Sequence, residues 1–178
     1  MSIILLSLFY PWWSLHATND QPIVEKTTEM FIIPQTMIEQ TSYSQETYIE
    51  LATVPEIFIS FLGGLLIIIC SGIFLIGLSF IPNIVYKKRY STILISASVL
   101  FFILVTLSYI FGTSKLTELS LGSLQGEGVL DVVLPDQTTV YMNANWGLGI
   151  GFYLVLLAVL ITIFAGVIDY LKKLKKIK

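Results

Sequence analysis

The residues able to do chemistry in this 178-residue chain are few and scattered. The one histidine, His16, stands beside Trp12 and Trp13 and has no second histidine to complete a haem, copper or zinc pair. The one cysteine, Cys70, lies inside a long apolar run, where burial disfavours the reactive thiolate. A lone thiol also excludes an internal disulfide and any multi-thiolate metal or iron–sulfur site. Glu25, Glu29 and Glu39 offer carboxylate oxygens to a cation, but their spacing matches no metal-binding loop and reads as a solvated acidic face. No nucleophile stands beside a base. The expectation is a protein that is not an enzyme, with no cofactor, no metal, no nucleic acid and no evident small-molecule substrate.

The elements that would position these residues are dominated by apolar sequence. The chain is 55% hydrophobic and 12% charged, against roughly 25% charged in soluble domains. Three long uncharged runs stand out, Ile57–Ile81, Ser91–Phe111 and Gly147–Ile168. Each exceeds the roughly 20 helical residues that cross a ~30 Å hydrocarbon core. The expected class is therefore an integral membrane protein, mainly α, whose principal partner is the lipid bilayer.

Charge placement orients the runs. Lys87, Lys88 and Arg89 separate the first two, and Lys172, Lys173, Lys175, Lys176 and Lys178 follow the third. Apart from Asp169, the acids lie in segments 17–56 and 113–145. The positive-inside rule places the Lys-rich segments, and with them both termini, in the cytoplasm and both acidic loops outside. Interfacial aromatics agree: Tyr10, Trp12, Trp13 and Trp146 would mark the outer headgroup level, and Tyr86, Tyr90 and Tyr170 the inner one. The basic residues would fix topology, with anionic lipid contact as the alternative role of the tail.

With segment 17–56 outside, the opening MSIILLSLFYPWWSL must bring the chain there. A cleaved signal peptide is one reading, but no basic n-region precedes Ile3. A retained first helix over 1–16 is favoured, although 15 residues span only ~22 Å. Bilayer thinning or an upstream start would make up the length. The layout expected is a four-transmembrane-helix bundle: helix one 1–16, loop one 17–55, helix two 56–83, inner turn 84–90, helix three 91–112, loop two 113–145, helix four 146–170 and tail 171–178. Segment 27–41 is rich in apolar and β-branched residues, and 129–142 reads as a hairpin around Pro135-Asp136. These predict a small extracellular β-rich cap formed by the two external loops.

Small residues mark close helix packing. Gly147 and Gly151 form a GxxxG pair, Ala158, Thr162 and Gly166 repeat at i+4 further along helix four, and helix two carries Gly63, Gly64 and Gly72. They would pack the four helices together or contact another subunit. Thr92, Ser96, Ser98, Thr106 and Ser108 put hydroxyls along helix three, where bonds to helix carbonyls compete with a pore-lining role.

This outline resembles the claudin/peripheral-myelin-protein class of tetraspan membrane proteins. The shared features are a Trp-bearing exit from helix one, a long first external loop, a short basic inner turn, and WGLGIGFYLVLLA opening helix four. The pieces PWWSL and WGLGIGFYL also resemble small uncharacterised four-span proteins of archaea. The resemblance implies architecture only, since the claudin loop cysteines are absent. The function expected is a structural or accessory subunit of a membrane or cell-envelope assembly, contacting other membrane subunits or copies of itself. An accessory subunit of a respiratory or energy-converting complex, a small oligomeric channel, and a viral-envelope or vesicle membrane protein stand as alternatives.

Overall fold

Side chains that alternate between buried and exposed build two separated parts of the chain into one sheet. A computed structural model describes residues 2–20, 23–43, 46–52, 56–81, 88–117, 123–134 and 137–175. In β1 (Trp13–Asp20), Trp13, Leu15 and Ala17 are buried while His16 and Thr18 are exposed. β2 (Ile23–Met30), β3 (Met37–Tyr43) and β4 (Glu46–Ala52) follow as an antiparallel meander. β5 (Gly126–Val133) and β6 (Thr139–Leu148) form a hairpin, and β6 repeats the alternation with Val140, Met142 and Ala144 buried. β6 then pairs with β1, so the six strands run in the order β4-β3-β2-β1-β6-β5, antiparallel throughout.

Four helices complete the described fold: α1 (Ser2–Ser7), α2 (Glu56–Ser79), α3 (Lys88–Thr117) and α4 (Ile150–Lys175). α2 and α3 pack closely along each other. At their contact a Cβ added to Gly72 would lie 2.8 Å from Phe102 Cζ, and Ser98 Oγ donates a 2.8 Å bond to the Gly72 carbonyl. The glycine permits the close approach, and the hydroxyl is satisfied across the pair. α4 packs against α1 and α3.

Register places all the helix junctions at one end of the sheet. Trp13 pairs with Met30 and Leu148, Met30 with Met37, and Met37 with Ala52. The chain enters β1 at Trp13, leaves β4 at Ala52 toward α2, and leaves β6 at Leu148 toward α4. The sheet therefore stands on the helices with its strands leading away from them. Helices touch it little, chiefly where α4 meets β1. Yet Val24 and Met142 are fully buried and Val132 nearly so, because the sheet curls over its own inner face. The curl brings Val132–Leu134, at the end of one edge strand, to the same cleft as Tyr48 and Glu50 of the other.

The expected mainly α, tetraspan four-helix bundle is not the structure. Two described helices are long and apolar enough to cross a membrane, α2 over Glu56–Ser79 and α3 over Thr92–Ser114. The expected first helix ends after 6 residues; Pro11 follows, and Trp13 already belongs to β1 because its alternating neighbours pair on both sides. The expected fourth helix yields Trp146–Leu148 to β6, and its described apolar stretch is only Ile150–Ala165, short of the roughly 20 residues a crossing needs. The β part is correspondingly no small cap: six strands draw in residues that both terminal helices were expected to hold. Tyr86, Lys87, Lys176 and the Pro135-Asp136 turn lie outside the described residues.

Along α2 and α3 several large apolar side chains remain exposed, while others pack on the core. Only 22% of the most apolar window of each is buried, with Ile67, Phe74, Leu100 and Phe111 among the exposed. Both helices are thus long and apolar enough to cross a membrane and carry exposed apolar side chains along their length.

Candidate interaction surface

Two polar features lie on opposite faces of the sheet. On the outer face, His16 pairs across β1–β6 with Asn145, which pairs in turn with Glu127. These three, with Ser14, Gln125 and Trp146, border a shallow concavity of about 600 Å³. His16 Nε2 lies 3.6 Å from Glu25 Oε1, both side chains being half exposed. Solvent screening makes this pair weak. Among the described residues no three His, Cys, Asp or Glu side chains gather in metal-binding geometry: Glu25, Glu29 and Glu39 sit on two strands and both faces.

The inner face is more enclosed. Lys26, Glu39, Thr41, Tyr48 and Glu50 line one side of a cleft of about 410 Å³, and Val132, Val133 and Leu134 line the other. Lys26 Nζ meets Glu39 Oε2 at 2.7 Å with both side chains largely covered. Glu39 stands directly opposite Glu50 on β4, so Lys26 also offsets a like-charge cross-strand pair. The Tyr48 hydroxyl donates to Glu46, and that bond is the first reason the Tyr48 phenol is raised above its ordinary value. Lys26→Gln is expected to lower stability by about 1 kcal/mol, whereas the Lys26→Gln/Glu39→Gln pair recovers most of the loss. A double-mutant cycle in chemical denaturation reads the coupling directly.

β4 itself is the most open element. It ends the strand order, so among the described strands none covers its outer backbone groups. Ile49 and Leu51 are 68% and 73% exposed on the outer face, with Tyr48 and Glu50 on the cleft face. The six strands together carry eight acids against one base, Lys26. The exposed, fairly apolar edge of β4 carries no Lys or Pro to discourage pairing.

The aromatic residues marked in the sequence are structural joints. Trp12 is completely buried, its indole Nε1 donating to the Ser7 carbonyl at 2.7 Å. It meets Tyr109 of α3 edge-on at 5.0 Å and Phe152 of α4 at 6.1 Å. Trp13 and Trp146 donate to the Leu124 and Ser123 carbonyls, holding the segment that leads into β5. Tyr10 is exposed. Tyr90, Lys88 and Arg89 lie on the backbone of α3, and Tyr170, Lys172, Lys173 and Lys175 on that of α4.

The small residues divide by neighbour. Gly151 faces Trp12 and the Tyr10 carbonyl, Gly72 faces Phe102, and Gly63 approaches Gln35. Gly147, in β6, is near Gln125, whereas Gly64 has open space beside it. Ala158 is buried and accepts a 2.7 Å bond from Thr162; Gly166 lies on the α4 backbone. Thr106 is likewise satisfied by its own helix, through Phe102 O. Cys70 is exposed on α2, beside an apolar groove with Ser71 and Phe101.

Sequence reasoning missed Tyr109. Its side chain is fully buried and its hydroxyl has no partner among the described residues. A buried orphan hydroxyl costs about 1–3 kcal/mol. Tyr109→Phe is therefore expected to leave the protein as stable as before or up to about 1 kcal/mol more stable, measured as the denaturation midpoint in mild detergent.

No protein-family model, no curated protein and no solved structure matches this chain.

Proposed function

We propose that this is a non-catalytic membrane protein, a structural or accessory subunit whose curled acidic sheet is displayed outside the bilayer for contact with other proteins. Two facts support the membrane setting: α2 and α3 are of spanning length, and large apolar side chains such as Ile67, Phe74, Leu100 and Phe111 are exposed on them. The helix junctions at one end of the sheet hold all six strands on one side of that helix pair. Basic residues 87–89 between α2 and α3 orient the turn toward the cytoplasm, and the sheet outward.

The observation that carries the subunit reading is β4, an edge strand with exposed apolar side chains and no covering strand among those described. A long exposed edge of this kind invites pairing with another chain.

The test is the native mass of the protein after mild extraction from its own membranes. A complex heavier than one chain plus its detergent belt is expected. A solitary monomer, in intact membranes as well as after extraction, would overturn the proposal.

A further inference from the structure

We propose that the β4 edge is completed by an extended segment of a basic partner protein, added as a further strand and alternating cationic with apolar side chains. The inference rests on the subunit reading and names the chemistry of the partner.

Three independent observations converge on this occupant. First, β4 is the free end of the sheet and its outer backbone groups face no strand among those described, which is the platform strand addition uses. Second, its two faces differ in chemistry. Ile49 and Leu51 project outward, exposed, while Tyr48 and Glu50 project into the cleft. Because side chains of a strand alternate between faces, an added strand would set every second residue against Ile49 and Leu51. The intervening residues would reach over the cleft toward Glu50 and Glu39. Glu39 already holds Lys26, whereas Glu50 has no ion-pair partner among the described residues. Third, the strands carry eight acids and one base. A second copy of this chain would bring the same acidic sheet to the edge, and like charge disfavours that encounter. A basic segment is attracted to it.

The far wall of the cleft adds selectivity. Val132, near the end of the opposite edge strand, and Leu134 just beyond it line the same cleft as Tyr48 and Glu50. A cationic side chain with an aliphatic stem fits such a slot, with the stem against Val132 and Leu134 and the charge at the carboxylates.

The experiment uses the full chain in nanodiscs of neutral phosphatidylcholine, so that lipid charge does not capture the probe. The probe is a fluorescent seven-residue peptide of alternating Lys and Val, compared with a peptide of the same composition in two blocks. The alternating peptide is expected to bind saturably and at least about tenfold more tightly than the block peptide. Glu50→Gln and, separately, Ile49→Lys/Leu51→Lys are each expected to weaken it by about tenfold. Asp131→Asn, on the outer face of β5, is expected to change it less than about twofold. Unchanged circular dichroism and tryptophan emission establish that each variant is folded.

Equal binding of the two peptides would reduce the effect to bulk charge and overturn the proposal, as would equal loss in Asp131→Asn or no binding to the folded protein. A homodimer that Ile49→Lys/Leu51→Lys dissociates would assign the edge to a second copy instead. The two readings fail separately. If Ile49→Lys/Leu51→Lys leaves the native complex at full mass, the strand-addition proposal falls and the subunit reading stands. If the unaltered protein is a monomer in its membranes, the subunit reading itself falls.

Discussion

Replacing Trp12 with alanine is expected to lower the unfolding free energy by about 3–5 kcal/mol, the range for truncating a fully buried large aromatic. Trp12 follows Pro11, where the chain has left α1 and is about to enter β1. Its ring has no exposed surface and fills the junction between Tyr109 on α3 and Phe152 on α4. Removing it leaves a cavity in which two other rings lose an edge-on partner, and aromatic pairs add stability beyond their buried area. The Ser7 carbonyl also loses the indole N–H that satisfies it. Trp12→Phe separates the two contributions. It keeps most of the packing and loses the hydrogen bond, and is expected to cost about 1–2 kcal/mol. Chemical unfolding in mild detergent, followed by near-ultraviolet circular dichroism, gives both values. A Trp12→Ala loss below about 1 kcal/mol, the level of ordinary surface substitutions, would show that the ring is not the joint described.

The second large effect is expected at Gly151. The start of α4 is sewn to the turn before β1: Gly149 N–H donates to the Trp12 carbonyl and Gly151 N–H to the Pro11 carbonyl, both at 2.8 Å. These bonds satisfy amides at a helix start, which have no partner within the helix. They also pull the α4 backbone against residues 10–12. A Cβ on Gly151 would lie 2.6 Å from the Tyr10 carbonyl oxygen and 2.7 Å from Trp12 Nε1. One obstacle is backbone and the other a fully buried ring, so neither can yield cheaply. Gly151→Val is expected to cost about 3 kcal/mol or more, at the upper end for overpacking a close contact. Gly64→Ala, where a Cβ meets nothing within 4 Å, is the control. It is expected to be neutral or slightly stabilising, because alanine is the better helix former. Similar losses at the two glycines would mean that close packing at Gly151 is not what matters.

How much of this was legible in sequence depends on the range over which each feature is decided. The membrane-length helices α2 and α3 could be read because more than twenty uninterrupted apolar residues admit few alternatives. The first and last helices are shorter than their apolar sequence predicts, for opposite local reasons. Apolar residues from Ile3 to Phe9 suggested a helix that would continue, yet the period-two pattern of Trp13, Leu15 and Ala17 was already strand-like. Short apolar stretches do not separate helix from strand by periodicity alone. At the other end, Val140, Met142 and Ala144 carried the same alternation, and it extended through Leu148 only because β1 was there to pair with it.

The site features divide in the same way. The acidic character of the strands is compositional and was visible at once. That Glu39 and Glu50 stand opposite each other, with Lys26 between strands to offset them, depends on register, which no local signal declares. The tryptophans were recognisable as amphipathic rings, but the burial of Trp12 is decided by Tyr109 and Phe152, about a hundred residues or more away in sequence. The exposure of β4 is likewise a property of strand order, since Thr47–Leu51 resembles any half-buried strand until its neighbours are known.

In the proposed arrangement α2 and α3 cross the bilayer and hold the sheet on its outer side, where the β4 edge meets its partner. Single cysteines at Gln35, Gln125 and Lys88, placed on a Cys70→Ser background, test it in intact cells with a membrane-impermeant thiol reagent. Labelling is expected at 35 and 125 without permeabilisation, and at 88 only after the membrane is opened. Labelling of 35 and 88 from the same side would contradict it.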